Sequence, residues 1–370
     1  MKIDDKTSHN SPSLRFPEFT GEWEKCKIED ITDAVSSGKS KNHFSNGEYN
    51  LYGSTGIIGR TDKALYDGKL VLVARVGANA GFLQIINEPC GITDNTLILK
   101  PKGIDAFYLY YFLQHFNLNR LIFGSGQPLI TGGMLKKVKV SLGTISEQSK
   151  IVKFLSLLDE RIATQVRLIE DLKKLRCAIV EKMFKQSKAN GRLGDFIEQV
   201  SVRNKNGLYS NVLSVSNKQG FVKQSEQFED RTVASEDTSN YKIVKRNNFA
   251  YNPARINVGS IARLTKFDVG IVSPMYVCFR TKASIIPEYM EAFFTSQQFF
   301  YEMMKRLEGS VRLCLSYEGL CNIPVYIPDM NKQIAMGQNI SLILSKIGLE
   351  IEYLGRLHQQ KQYLLRKMFI

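Results

Sequence analysis

The sequence LKKVKVSLGTISEQ, residues 135–148, is followed at residues 320–333 by the similar sequence LCNIPVYIPDMNKQ. The two stretches are 185 residues apart and carry aliphatic residues and a final glutamine at the same positions. The same spacing relates Lys182-Met183-Phe184 to Lys367-Met368-Phe369. Because solenoid repeats have periods of only about 20–50 residues, this spacing indicates a duplicated domain. The chain is therefore predicted to hold two copies of one unit, each ending in a helix.

The end of each copy is predicted to be one long helix. From residue 147 to about residue 187, apolar residues recur at three- and four-residue spacing, and no Pro or Gly occurs before Gly191. A helix of about 40 residues is about 60 Å long. The pattern returns over residues 331–370, where Gly348 and Gly355 interrupt it. Two helices of matched length and similar apolar stripe are expected to pair.

The regions before the helices are predicted to be loop-rich α/β domains. Short β-like runs are seen at Leu70–Ala74, Thr96–Lys100, Lys137–Ser141, Leu208–Val215, Ile271–Val272, Tyr276–Arg280 and Ile323–Ile327. One amphipathic helix is predicted in each copy, Ala106–Gln114 and Pro287–Phe300, and its aromatic residues have the spacing of a core-facing stripe. The predicted segments are an N-terminal segment 1–20, domain 21–146, helix 147–188, domain 189–330 and helix 331–370.

Composition places the chain among ordinary globular proteins. It has 370 residues, of which 43% are hydrophobic, so each copy can bury a core of its own. Residues 1–13 are polar and charged, and no run of about 18 apolar residues occurs, so a cytoplasmic location without a membrane span is expected. The six cysteines contain no C-x-x-C pair and the four histidines are dispersed, which indicates neither a zinc site nor a disulfide framework.

The charge of the chain favours an acidic partner. The 50 Lys and Arg residues against 36 Asp and Glu give a formal charge of +14, and segments 147–188 and 331–370 together hold +8 of it. A basic excess of this kind is a common mark of polyanion binding. The alternative, a moderately basic cytosolic protein without a nucleic-acid role, stays open on charge alone.

A polar loop occurs in both copies. It reads VARVGANAG at residues 73–81 and PARINVGSI at residues 253–261. Arg and Asn can bond a base edge in two places, and Gly and Ser let a backbone approach closely, so the loop favours DNA recognition. A turn whose Arg pairs with a carboxylate is an equally open interpretation.

Motifs for catalysis are missing from the sequence. There is no phosphate-binding G-x-x-x-x-G-K-[ST], no H-E-x-x-H and no acidic cluster spaced like that of a metal-dependent nuclease. Asn252-Pro253-Ala254-Arg255 lacks the aromatic residue of the tetrapeptide with which amino-methyltransferases hold a base. The chain is therefore interpreted as a reader without chemistry of its own. An autonomous nuclease or methyltransferase is the more distant alternative.

Several motifs point together to one family. They are Leu14-Arg15-Phe16-Pro17-Glu18-Phe19 with Trp23-Glu24, Gly53-Ser54 with Gly56-Ile57-Ile58-Gly59, Gly126-Gln127-Pro128, Glu147-Gln148 opening a long helix, and Tyr251-Asn252-Pro253-Ala254-Arg255-Ile256-Asn257 with Gly259-Ser260-Ile261. With the order domain, helix, domain, helix, the chain resembles the specificity (S) subunit of type I restriction–modification systems. The second helix departs from the pattern, because Asn331-Lys332-Gln333 stands where an acidic Glu-Gln start is expected.

The resemblance implies a mixed α/β (α+β) fold with an internal pseudo-two-fold repeat. Two target recognition domains would each read half of a split double-stranded DNA sequence and would be held apart by an antiparallel coiled coil of the two helices. The helices would dock two methyltransferase (M) subunits, and restriction (R) subunits can join. No cofactor is expected on this chain, since S-adenosylmethionine, ATP and Mg²⁺ would act on the partner subunits. A half-subunit, or a reading module of another methylation assembly, is the alternative.

On this resemblance, loops 36–60, 73–81 and 124–131 are expected to contact one half-site, and loops 201–220, 252–266 and 309–317 the other. Candidates for base edges are Arg75, Asn79, Gln127, Arg255, Asn257 and Arg312. Candidates for phosphates are Lys39, Lys41, Lys205, Lys218, Arg263 and Lys266. Further DNA-binding candidates in the same loops are Ser54, Thr55, Arg203, Asn217 and Ser260.

Overall fold

The structure is a computed structural model of the chain, and it describes residues 10–41, 46–122, 128–185, 188–217, 219–227, 237–310 and 312–370. The chain divides into two compact units. Unit 1 comprises Met1–Val166 and Glu352–Ile370, and unit 2 comprises Arg167–Ile351. Each unit thus takes in part of both long helices, and the five segment boundaries predicted from the sequence stay a prediction.

Unit 1 consists of short strands and helices that precede a long helix. Its strands are β1 (Glu24–Lys27), β2 (Thr32–Ser37), β3 (Tyr49–Gly53), β4 (Gly56–Thr61), β5 (Lys69–Ala74), β6 (Leu83–Asn87), β7 (Cys90–Ile92), β8 (Thr96–Pro101) and β9 (Lys139–Leu142). Its helices are α1 (Ala106–Phe116), α2 (Gly132–Lys136) and the first part of α3 (Ile145–Lys185), with 3₁₀ turns at Ile28–Ile31 and Leu118–Leu121.

The central sheet of unit 1 has the strand order β2-β8-β5-β6, and all its neighbours are antiparallel. Every residue of β5 except its first lysine is buried. Val71 and Val73 belong to the core that includes α1, whereas Leu70 and Leu72 belong to a second apolar cluster. A strand buried on both faces reads as a continuous apolar run, which is why the sequence pattern identified it. The sheet gives the loop after β5 a rigid support.

Unit 2 begins within α3 and ends within a second long helix. Its strands are β10 (Gly191–Arg192), β11 (Ile197–Gln199), β12 (Val212–Ser216), β13 (Gly220–Lys223), β14 (Lys242–Lys245), β15 (Phe249–Tyr251), β16 (Ile261–Arg263), β17 (Val269–Val272), β18 (Val277–Thr281) and β19 (Pro324–Val325). Its helices are α4 (Leu193–Phe196), α5 (Gln224–Gln227), α6 (Pro287–Phe294), α7 (Gln297–Met304), α8 (Tyr317–Cys321) and the start of α9 (Met330–Met368), with a 3₁₀ turn at Ile256–Val258.

The sheets of unit 2 repeat the strand order of unit 1. β11-β18-β15-β16 corresponds to β2-β8-β5-β6, and β10-β19 corresponds to β1-β9. The remaining sheet, β13-β12-β17-β14, matches β4-β3-β7 of unit 1, including the parallel pairing of β12 with β17 and of β3 with β7. β14 is added at its edge. The strand order within each unit therefore agrees with the repeat in the sequence.

Equivalent tyrosines bond α1 in unit 1 and α6 in unit 2 to the segment just before a long helix. Tyr108 of α1 donates its hydroxyl to the carbonyl of Ser141 at 3.1 Å, and Tyr289 of α6 donates to the carbonyl of Tyr326 at 2.7 Å. The ring of Tyr108 lies 5.2 Å from that of Phe369, and the ring of Tyr289 lies 5.3 Å from that of Phe184. Thus the C-terminal end of α9, which follows the second copy, packs against α1 in unit 1. The C-terminal end of α3, which follows the first copy, packs against α6 in unit 2.

Both long helices are continuous. α9 runs through Gly348 and Gly355, and a β-carbon added at either glycine would meet no heavy atom within 4 Å. The glycines therefore cost helix propensity, about 1 kcal/mol each, but leave the helix intact. Among the described residues, no helix has the length and apolar character needed to cross a membrane.

Within unit 1 the two long helices run antiparallel. Asp159 of α3 pairs with Lys361 of α9 at 2.6 Å, and the guanidinium of Arg161 lies 5.4 Å from the ring centre of Tyr353. As residue numbers increase along α3, the numbers of the contacting residues in α9 therefore decrease. In unit 2, Val180 and Phe184 of α3 share a core with Ile340 of α9.

Some predicted boundaries were wrong. The predicted helix Pro287–Phe300 is two helices, α6 and α7, because Ser296 has extended backbone angles and its side chain accepts a bond from the Phe299 amide. Phe293 and Phe299 are buried as predicted, but Phe300 is exposed. The predicted strand Leu208–Val215 starts later, as β12, and Ile323–Ile327 shortens to β19.

Candidate nucleic-acid interface

The polar loop of unit 1 connects the paired strands β5 and β6. Its backbone is anchored at both sides, because the amide of Arg75 donates to Asn95 at 2.9 Å and the amide of Gly77 donates to Pro128 at 3.0 Å. Gly77 has a φ of 80°, which favours glycine. Asn79 is exposed at the tip. The loop is therefore held by its backbone while its side chains stay available.

Arg75 lies at the base of this loop. Its side chain is half-buried, and its Nε atom is buried without a hydrogen-bond partner among the described residues. A buried guanidinium nitrogen that lacks an acceptor is costly unless a ligand supplies one. Arg75 therefore stays a candidate contact on the strength of its half-buried position at the base of the loop.

The hairpin tip between β3 and β4 lies beside the loop of unit 1. The hydroxyl of Ser54 donates to the carbonyl of Asn95 at 3.2 Å, and Asn95 is also the acceptor for Arg75. Thr55 is exposed next to Ser54. Gln84 fixes the tip further by donating to the carbonyls of Gly53 and Ser54. The structure thus brings Ser54 and Thr55 together with Arg75.

Two predicted phosphate contacts flank a cleft of about 280 Å³ in unit 1. Lys39 and Lys41 are exposed on either side of Ser40, and Lys63 lines the same cleft. Ser40 is buried, and its hydroxyl accepts the Ile92 amide at 3.0 Å. Ser40 therefore fixes the backbone from which the two lysines project. Gln127 lies outside the described residues.

The corresponding loop of unit 2 connects the paired strands β15 and β16. The amide of Asn252 donates to Ser260 at 3.1 Å, and the amide of Ser260 donates to Arg255 at 3.1 Å. Ile256 is buried and anchors the middle of the loop. Arg255 is exposed and Asn257 is half-exposed, so both side chains are available to a partner.

A second segment lies against this loop. The Leu315 amide donates to the carbonyl of Pro253 at 3.1 Å, and Arg312 is exposed three residues earlier. The turn before it depends on Gly309, whose φ is 117° and whose added β-carbon would lie 2.3 Å from the Arg312 carbonyl oxygen. Glycine is therefore required at position 309, and Arg312 lies three residues before the contact of Leu315 with the loop containing Arg255.

The β12–β13 hairpin tip borders the loop of unit 2. A β-carbon on Gly259 would lie 3.6 Å from Cβ of Asn217, and Lys266 donates to the carbonyl of Gln219 at 3.3 Å. Asn217 and Lys266 therefore adjoin the loop. Lys218 lies outside the described residues.

Arg203 and Lys205 lie on a separate part of unit 2. Arg203 donates to Asn240 at 2.8 Å and pairs with Lys242 through an isolated β-bridge. Lys205 is exposed in the adjoining turn. Among the described residues, the contacts of Arg203 are thus with Asn240 and Lys242 and not with the loop of Arg255.

Two of the predicted DNA contacts have structural roles. The hydroxyl of buried Ser260 donates to the carbonyl of Val215 at 3.1 Å. The Arg263 side chain is only 9% exposed and forms ion pairs with Glu288 and Glu291. Burial raises the pKa of Glu291, while the Arg263 guanidinium acts against that rise. These ion pairs give Arg263 a structural role, and we do not retain it among the DNA contacts.

Sequence reasoning missed the apolar side chains around the loop of unit 2. Val258, Met275 and Leu313 are all exposed. The Met275 sulfur lies 3.7 Å from the Asn252 amide nitrogen, and Leu313 is two residues from the Leu315 contact with the loop. A single exposed apolar residue carries no signal in a sequence, and only folding brings Met275 to Asn252 and the segment containing Leu313 to Pro253.

The N-terminal motif was also left without a role by sequence reasoning. Arg15 forms two bonds with buried Glu147, at 2.7 and 2.8 Å, and the Trp23 indole donates to the same carboxylate at 3.1 Å. In unit 2, Gln333 at the start of α9 accepts the Ile286 amide at 3.1 Å. These bonds position the starts of the long helices and leave the loops free for recognition. Among the described residues, no group of three or more His, Cys, Asp and Glu side chains is placed to hold a metal.

Comparisons with known proteins find similar proteins of one kind. Residues 20–174 match the family described as the type I restriction modification DNA specificity domain. A proposed type I specificity subunit from Mycoplasma genitalium is 28% identical over 176 residues, which cover 45% of this chain and 46% of that protein. The match thus spans about half the length of that relative.

Solved structures resemble the whole chain in fold. The crystal structure of the type I restriction–modification S subunit from M. genitalium has a TM-score of 0.63 at 20% identity, covering 97% of this chain and 99% of that one. A structure described as explaining complex assembly and conformational transition of the type I system has a TM-score of 0.56 at 11% identity, covering 95% and 98%. At these identities the likeness concerns fold. Residues 20–174 are thus similar to a type I restriction modification DNA specificity domain, and the likeness in fold extends over nearly the whole chain.

Proposed function

We propose that the chain is the DNA sequence-specificity subunit of a type I restriction–modification complex. It reads a bipartite target, with one half-site for each unit. The observation that supports this most directly is the repetition of one donor-rich loop between equivalent paired strands, β5–β6 in unit 1 and β15–β16 in unit 2. The formal charge of +14 fits a polyanionic partner.

Contacts with the two half-sites come from the residues that surround these loops. In unit 1 the proposed contacts are Lys39, Lys41, Ser54, Thr55, Arg75 and Asn79, with Gln127 retained from the sequence. In unit 2 they are Asn217, Arg255, Asn257, Lys266 and Arg312, with Arg203, Lys205 and Lys218 as more peripheral phosphate contacts. Val258, Met275 and Leu313 supply apolar contacts of the kind that thymine methyl groups accept in the major groove.

The long helices form an antiparallel coiled coil that docks two methyltransferase subunits. Equivalent apolar residues, 185 positions apart, are exposed on both helices: Ile145 and Met330 at the starts, and Leu157 and Leu342 one third of the way along. Exposed apolar residues that recur on two copies of a surface mark a repeated interface. Two copies of one partner fit this pattern.

The chain itself carries no catalytic role in this proposal. S-adenosylmethionine acts on the M subunits, and ATP and Mg²⁺ act on R subunits where these join the complex. The complex works in the cytoplasm, where the DNA is. Purified chain incubated with labelled S-adenosylmethionine and DNA should transfer no methyl group, and transfer by the chain alone would contradict the proposal.

The decisive experiment maps methylated bases in cells that express the chain with its M subunits. We expect a split motif, and replacing residues 189–330 with the same segment of a related subunit should change one half of the motif only. The matched control replaces residues 21–146 instead and should change the other half. A change in both halves from either replacement would contradict the assignment of one half-site to each unit.

A further inference from the structure

Unit 2 contains a cavity of about 460 Å³ beneath its reading loop. Its wall includes Arg176 of α3, Ala292 of α6 and Leu344 of α9, and the β12–β13 hairpin contributes Asn217 and Phe221 on another side. Pockets that hold small ligands have volumes of about 300–1,000 Å³ and mostly apolar walls with a few polar groups. The size and composition of this cavity match that description.

The cavity exists because an aromatic side chain of unit 1 has no counterpart in unit 2. Tyr108 and Tyr289 are equivalent, since they donate to Ser141 and Tyr326, which are 185 residues apart and precede the two long helices. Three residues later, unit 1 has Tyr111, whereas unit 2 has Ala292. The Tyr111 hydroxyl donates to Asp159 at 2.9 Å, so its ring fills the space between α1 and α3. Alanine leaves the equivalent space open.

The charges at this place also differ between the units. In unit 1, Lys361 pairs with Asp159 at 2.6 Å. The residues at the same helix positions in unit 2, 185 residues away, are Arg176 and Leu344. The cation is kept, but its carboxylate partner is replaced by an apolar side chain. Arg176 forms no hydrogen bond or ion pair with any described residue, and its longer-range interaction is with Glu291.

The other charged groups of the wall are already engaged. Glu291 is paired with Arg263 at 2.9 Å, and Lys266 donates to the Gln219 carbonyl. Among the described residues, Arg176 is therefore the cation of the wall that has no hydrogen-bond or ion-pair partner. The apolar part of the wall is aromatic, with Phe221, Phe249 and Phe294. This combination suits a molecule with a ring at one end and an anionic group at the other.

We propose that the cavity binds a small aromatic anion, whose ring lies among the three phenylalanines and whose carboxylate, sulfonate or phosphate group pairs with Arg176. The site lies in the second copy of the repeat. Its ligand lies next to Asn217 and Lys266, which line both the cavity and the reading surface.

The test uses the full-length chain and the fluorescent probe 1-anilinonaphthalene-8-sulfonate, an aromatic sulfonate. We expect one probe per folded chain. Arg176→Gln should weaken binding about tenfold, the loss of one charge-assisted bond. Ala292→Tyr, which introduces the residue of unit 1, should abolish it. Arg167→Gln, which removes an exposed arginine of the same helix outside the cavity wall, is the matched control and should bind as the wild type does.

Three results would overturn the proposal. One is absence of stoichiometric binding to the wild-type chain, and another is unchanged binding to Ala292→Tyr with a native melting curve. Equal affinity for the uncharged analogue N-phenyl-1-naphthylamine would show an apolar cavity without anion recognition. If Ala292→Tyr does not fold, Ala292→Leu and Arg176→Gln test the ring and the anionic group separately.

Discussion

Replacing Leu157 and Leu342 by glutamate tests the proposal that the helices dock two methyltransferase subunits. The two leucines are equivalent and are 55% and 69% exposed in the chain alone. Full burial of a leucine side chain contributes about 1.5–3 kcal/mol. A partner that covers the exposed part of either residue therefore gains about 1–2 kcal/mol from it, and a carboxylate at that position adds a desolvation cost.

The expected result is a stepwise loss of partner subunits. A loss of about 1.4 kcal/mol is tenfold in affinity, so each single variant should lose at least about tenfold at one site and keep the other. Native mass spectrometry and sedimentation velocity, at concentrations near the wild-type dissociation constant, count the M subunits per chain. We expect two for the wild type, one for each single variant and none for the double variant.

The matched control is Leu175→Glu on the same helix. Leu175 is 50% exposed, but the residue 185 positions later is Gln360, so it is not part of a repeated apolar surface. Melting curves establish that all variants are folded. The reasoning is refuted if Leu175→Glu weakens assembly as much as Leu157→Glu, or if either single variant loses both M subunits together.

Three further predictions concern reading, spacing and stability. If Arg255 bonds guanine in two places, Arg255→Ala should weaken binding of the specific target by about 1–3 kcal/mol and binding of random DNA by little. Competition anisotropy of the assembled complex measures both affinities. Equal losses on the two DNAs would assign Arg255 to phosphate. Insertion of four residues after Arg167 and four after Glu352 lengthens each helix by about 6 Å, and methylation maps should show a gap between half-sites that changes by about one or two base pairs; an unchanged gap would mean that the helices do not set it. Burial lowers the pKa of His115 from its ordinary 6.5, so the unfolded chain takes up this proton first as the pH falls. The free energy of unfolding should therefore fall below about pH 6.5 more steeply in the wild type than in His115→Gln, and parallel pH profiles from denaturant melts would contradict this.

The long helices were predictable because they depend on local pattern. The apolar stripe predicted a helix from residue 147 to about residue 187, and α3 is Ile145–Lys185. α9 continues through Gly348 and Gly355 because nothing packs against those positions and the apolar residues on either side keep their spacing. The break at Ser296 was not predicted, since it depends on a serine side chain bonding a backbone amide inside an otherwise helical pattern.

Features that depend on distant residues were not predictable from local pattern. Arg263 has the same local context as a solvent-exposed loop arginine, and only the packing of α6 brings Glu288 and Glu291 to it. The cavity beside Arg176 follows from Ala292, which is 116 positions further along the chain. The spacing of neighbouring residues carries no information about the ion pairs of Arg263 or about the packing of Ala292 beside Arg176. The repeat was accessible because its residues recur at a constant spacing along the chain, whereas these contacts are particular to one copy.

The two copies can keep the same frame while their exposed loop side chains differ, because the bonds that hold the frame end on backbone groups. The frame that repeats uses bonds to backbone carbonyls: Gln148 donates to Gly143 and Gln333 donates to Pro328, both at 2.9 Å. The loops are also held through backbone groups, as in the bond from Gly77 to Pro128. Backbone acceptors stay the same when side chains change. The exposed positions of the loops can therefore vary without loss of the frame, so one fold repeated twice can present different donors to two different half-sites.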